Sequence, residues 1–125
     1  MNTVIGERCS GKTTRLIKKS AETGAVIVTA TVMMADYIKD TARRMNLEIP
    51  SPISATQLLN LKHGRRNTPI DGLLLEDIHK RGILIDEAQI VLQNIFSGCL
   101  IDEITLTDLG DNVERLKKSS RPDNA

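Results

Sequence analysis

Residues 6–13 read Gly6-Glu7-Arg8-Cys9-Ser10-Gly11-Lys12-Thr13, directly after the apolar pair Val4-Ile5 and directly before a stretch with helical spacing. A glycine, four residues, a second glycine, a lysine and a hydroxyl residue between a strand and a helix constrain this chain more than any other feature in it. The spacing predicts a loop with unusual backbone angles at Gly6 and Gly11. Its backbone N–H groups can turn inward around an anion, and the following helix aims the positive end of its dipole at the same point. A phosphate chain is the ligand that suits such a cradle. Lys12 has the reach to neutralise the outer phosphates, and the Thr13 hydroxyl can ligate Mg²⁺. The candidate nucleotide-binding segment is therefore Gly6, Glu7, Arg8, Cys9, Ser10, Gly11, Lys12 and Thr13, with Thr14 next to them.

A second signal lies at Gly82-Ile83-Leu84-Ile85-Asp86-Glu87-Ala88-Gln89. Three consecutive aliphatics read as a buried strand that ends in two acids. Asp86, at the strand's carboxyl end, is placed to hold the Mg²⁺ that Thr13 also touches. Glu87 is placed to polarise an attacking water as general base. The bland alternative is a pair of surface charges at a sheet edge.

The remaining chain supplies a scaffold. A first strand is expected over about 2–5 and a helix over about 11–22 with Leu16, Ile17 and Ala21 inward. Residues 25–30, Ala-Val-Ile-Val-Thr-Ala, read as a strand covered on both faces, and 32–46 as a helix with Met34, Ile38, Ala42 and Met45 on one face. Ile53-Ser54 suggests a minimal strand. Helices follow over about 55–61 and 70–80, then a helix over 89–96 with Ile90, Val91, Ile95 and Phe96 inward. Residues 101–107 are read as the last strand, from which Thr105 or Thr107, or Asp108 beyond it, could project toward the outermost phosphate. A short charged helix from Asp111, with Val113 and Leu116 on one side, is expected after it. Strands alternating with helices give an α/β fold with a mainly parallel sheet. One domain is expected over 1–118, followed by a mobile polar tail at 119–125.

Composition narrows the partners. The 125 residues carry a net charge of +1, so no global field advertises nucleic acid. A basic loop tip at 62–67 leaves a local contact open. One Tyr, one Phe and no Trp make stacking platforms for single-stranded bases an unpromising reading. Cys9 and Cys99 are far apart, and no Cys/His cluster points to zinc. Both are read as free thiols in a reducing, cytoplasmic compartment. No apolar run is long enough to span a membrane, and no signal peptide precedes the loop.

With these residues in hand, Gly6–Thr13 resembles a Walker A motif and Ile83–Gln89 a Walker B motif. A glutamate directly after the Walker B aspartate is the pattern of the additional-strand, catalytic-glutamate class of P-loop NTPases. That class contains RecA-like ATPases, helicases, AAA+ proteins and packaging terminases. The resemblance spans about residues 1–110. It implies a three-layer α/β/α fold whose main strands lie in the order 1-4-3-2, the strand at 101–107 being inserted between the two motif strands. It implies Mg²⁺ and ATP as cofactors, since no NKxD sequence argues for guanine. It also implies Lys12, Glu87 and a sensor threonine, Thr107, as catalytic residues. Second domains, lids and nuclease domains of the larger members find no room here, so the likeness is to small single-domain ATPases such as occur in phage genomes. A transition-state arginine is then expected from another copy in a homo-oligomer, from a partner protein, or from Arg8. Ser10–Thr13 and Asp86–Gln89 also resemble the thymidine kinases, whose zinc-bearing segment and aromatic lid are missing. An ATP-dependent binding switch with little turnover is the third reading.

Overall fold

The computed structural model describes residues 1–7, 10–64, 69–107 and 110–117; of 69–73 and 111 only the backbone is described. Arg8, Cys9, Asp108 and the tail at 119–125 lie outside the described residues. Strand β1 is Thr3–Gly6, helix α1 Lys12–Thr23, β2 Val26–Thr29, α2 Val32–Arg44 and β3 Ile53–Ser54. Helices α3 (Ala55–Lys62) and α4 (Pro69–Arg81) follow, then β4 (Ile83–Ile85), α5 (Ala88–Ile95), a 3₁₀ turn at Gly110–Asn112 and β5 (Val113–Leu116).

The element β2 organises the core because every residue in it is apolar or internally bonded. Val26, Ile27, Val28 and Thr29 are all buried. A strand alternates its side chains between faces, so Val26 and Val28 pack on one side with Ile53, Ala55, Leu58, Ile78 and Val91 from β3 and α3–α5. Ile27 packs on the other side with Ile17, Ile38 and Ala42 from α1 and α2. Helices thus cover both faces of the three-stranded parallel sheet β3-β2-β4. The fold is α/β with parallel strands.

The helices begin and end where local chemistry dictates. Thr31 caps α2 by accepting from the Met34 N–H. Ser54 and Gln57 form a reciprocal capping box at the start of α3. Inside α1 the fully buried polar residue Ser20 donates to the Ala25 carbonyl at 2.6 Å, pinning the helix to the entry of β2.

The strand order 1-4-3-2 is not what forms. β1 pairs in parallel with β5, in register from Thr3↔Val113 to Gly6↔Leu116, and these two make a separate sheet. Residues 101–107 belong to no strand. The physical reason is visible in Gln93: its side-chain amide donates to the Cys99 carbonyl and accepts from the Ile101 N–H, which folds the chain back onto α5. The expected charged helix after Asp111 is instead β5. Val113 and Leu116 are three apart and look like a helical stripe, yet in an extended chain they face opposite sides, and each is half-buried. Arg15 of α1 forms an ion pair with Glu114 and ties β5 to the helix. The inward face expected for α5 is also narrower than its sequence suggests: Val91 alone is buried, while Ile90, Ile95 and Phe96 are exposed. No helix among the described residues is long and apolar enough to cross a membrane.

Candidate functional site

The loop after β1 turns through Gly11, whose φ of 85° lies in the left-handed region that a side chain disfavours. Gly11 is also the N-cap of α1 and carries no side chain to cap it. The first N–H groups of that helix are therefore left for an external acceptor. Gly6 has a different role from the one its spacing suggests. Its φ is not positive; a Cβ there would strike Ser10 Oγ and press on Leu116. The absence of a side chain at Gly6 leaves room for Ser10 and Leu116 to pack against its backbone. Ser10 Oγ is buried and has no hydrogen-bond partner among the described residues.

Lys12 folds back over this loop. Its ammonium donates to the Gly6 and Glu7 carbonyls, each at 2.9 Å, and lies 4.0 Å from Glu87 Oε1. The lysine thus braces both ends of the loop and meets the acidic pair with the same charge. Thr13, next along, donates from Oγ1 to Asp86 Oδ2 at 3.1 Å across 73 positions of sequence. The Asp86 N–H is in turn bonded to the Val28 carbonyl, so the carboxylate is anchored to the central strand.

Asp86 is buried. Loss of hydration raises its pKa above the ordinary 3.8, and the adjacent Glu87 carboxylate pushes the same way; the Thr13 hydrogen bond and the Lys12 charge oppose this without cancelling it. Glu87 sits at the N-cap of α5 with φ 54° and ψ 63°, a left-handed conformation unusual for a residue with a long side chain. Its side chain does not cap the helix. Instead Oε2 accepts from Gln89 Nε2 at 2.8 Å.

The structure therefore brings Gly6, Gly11, Lys12, Thr13, Asp86 and Glu87 into one neighbourhood. Glu7 and Thr14 are exposed beside it. Arg8 and Cys9 fall outside the described residues. Thr107 is exposed, outside any strand, and none of the described contacts joins it to the loop. Cys99 is a free, exposed thiol. The motif reading includes Gln89 as the last residue of the acidic segment but gives it no role, and Ser20 reads only as a polar interruption of a helical stripe.

Among the described residues no group of three or more His, Cys, Asp or Glu side chains could hold a metal by itself. One carboxylate and one hydroxyl suit Mg²⁺ only when phosphate oxygens and water complete its shell, which is how that ion is commonly held. No protein-family model, curated protein or solved structure matches this chain.

Proposed function

We propose that this chain binds Mg·ATP and hydrolyses it to ADP and phosphate, as a small P-loop NTPase of the catalytic-glutamate class. The single observation that carries the reading is the Thr13–Asp86 hydrogen bond, which joins the end of a glycine-rich loop to an acid at the carboxyl end of a parallel strand. A hydroxyl and a buried carboxylate at 3.1 Å are oxygen donors of the kind that would hold Mg²⁺ together with phosphate oxygens and water. Bound there, Mg²⁺ supplies charge neutralisation on the phosphate chain. Lys12 adds a second positive charge at the outer phosphates, and the first turn of α1 offers N–H groups to the oxygens. Glu87 accepts a proton from the attacking water. Positioning and charge are what phosphoryl transfer chiefly requires of a protein. A transition-state arginine is supplied by another copy, by a partner protein or by Arg8, and turnover that climbs with protein concentration would identify the trans source.

Calorimetric titration with Mg·ATP, run beside a phosphate-release assay, tests this. Wild type should bind and turn over. Lys12→Ala should lose most binding, and Glu87→Gln should keep binding while turnover falls by about 10²- to 10⁴-fold. Absence of saturable Mg·ATP binding to the wild type refutes the proposal.

A further inference from the structure

We infer that Gln89 is a positioning residue for Glu87, holding that carboxylate for its work when Lys12 turns away. The inference rests on the reading of Glu87 as general base. Among the described contacts Glu87 has two side-chain anchors, the Gln89 amide at 2.8 Å on Oε2 and the Lys12 ammonium at 4.0 Å from Oε1. The second anchor is on loan. A phosphate chain in the loop competes for the Lys12 charge, and a lysine is a flexible point charge that follows the stronger anion. Once it does, the Gln89 amide is the remaining described side-chain contact on the carboxylate.

The chemistry of the donor matters as much as its position. Gln89 is a neutral amide, so it fixes one oxygen without placing a positive charge on the group that must accept a proton. Oε1 keeps its lone pairs free for water. Gln89 lies in the first turn of α5, two residues beyond Glu87, and Ile90 and Val91 both donate their N–H groups to the Glu87 carbonyl. Donor and acceptor are therefore carried on one rigid turn. The left-handed backbone at Glu87 swings its side chain off the helix cap and toward Gln89 and Lys12. An unrestrained glutamate spends most of its time in other rotamers, and a displacement of about 1 Å in a reacting group can cost 10²-fold in rate.

The test is Gln89→Met, which keeps the side-chain length and loses the donor, with Gln89→Asn as the variant that retains an amide. Steady-state phosphate release gives kcat and KM, titration gives Mg·ATP affinity, and thermal unfolding monitors the fold. The expected result is a fall in kcat of roughly 10- to 100-fold for Gln89→Met, with affinity and melting temperature unchanged and partial recovery in Gln89→Asn. A Gln89→Met protein that turns over at the wild-type rate overturns the inference and leaves the hydrolase reading intact. A loss of kcat matched by lower affinity or an earlier melt assigns Gln89 to structure and overturns it as well. Wild type without turnover defeats the hydrolase reading, and this inference falls with it.

Discussion

Two side chains stand in places that folding alone does not favour. Asp86 is buried with its pKa raised. An acid whose folded pKa lies above its unfolded value contributes to stability only at low pH. That contribution is full below the ordinary carboxylate value and is lost as pH rises through the raised one. Above the raised value the ionised group is a burden on the fold. Asp86→Asn should therefore remove the loss of stability that accompanies ionisation of this carboxyl, flattening the dependence of melting temperature on pH above 3.8. If the proposed site binds Mg·ATP, the same variant should lose the stabilisation that such binding confers. Glu87 is the second case, since its φ of 54° suits Asn or Gly better than Glu. Glu87→Asn should leave the fold as stable or firmer by up to about 1 kcal/mol in urea unfolding, with hydrolysis abolished. A destabilised Glu87→Asn would mean that the Lys12 and Gln89 contacts hold the fold rather than serve chemistry.

At the scale of elements, what could be read from the chain depended on whether the deciding force was local. Helices α2 and α3 carry their own stop and start signals, and the capping box of Ser54 and Gln57 marks the start of α3 to the residue. Ser54→Ala should cost about 1 kcal/mol of stability in chemical denaturation, with nucleotide affinity unaffected. The run of β2 was legible both as a strand and as buried, whereas the acid-ended run of β4 was legible as a strand but not in its burial: β4 lies at the edge of its sheet, and Ile83 and Ile85 are exposed rather than enclosed. The last strand was not legible. Ile104-Thr105-Leu106-Thr107 has better strand chemistry than Val113-Glu114-Arg115-Leu116, but strand formation needs a partner edge. The edge of β1 goes to 113–116, while Gln93 holds the chain at 99–101 against α5. Neither fact is written in local propensity. The candidate site divides in the same way. Loop and acidic pair announce themselves by spacing, whereas Gln89 acquires meaning only through the left-handed turn at Glu87.

For the whole molecule, the arrangement of the two sheets matters most. Among the described residues no strand pairing joins β1-β5 to β3-β2-β4. Helix α1 packs on both β1 and β2, and the Thr13–Asp86 hydrogen bond spans from the loop above one sheet to the strand end of the other. A ligand held by both the loop and Asp86 adds a further link across that division. Ligand at about 100 times its Kd stabilises a folded protein by about 2.7 kcal/mol. Hydrogen exchange should show that gain unevenly: amides of β1 and β5 should gain more protection on adding Mg·ATP than those of β2, whose residues are already enclosed on both faces. Equal protection throughout would mean that the two sheets already open as one unit.

The most direct measurement replaces Mg²⁺ with paramagnetic Mn²⁺ and follows backbone amide resonances as Mn·ATP is added. Convergence of loop and acidic pair on a single cation predicts that the Thr13 and Asp86 amides broaden together, at the same low occupancy, and recover together when excess Mg·ATP is supplied. Broadening at one of the two without the other, or at neither, would contradict it.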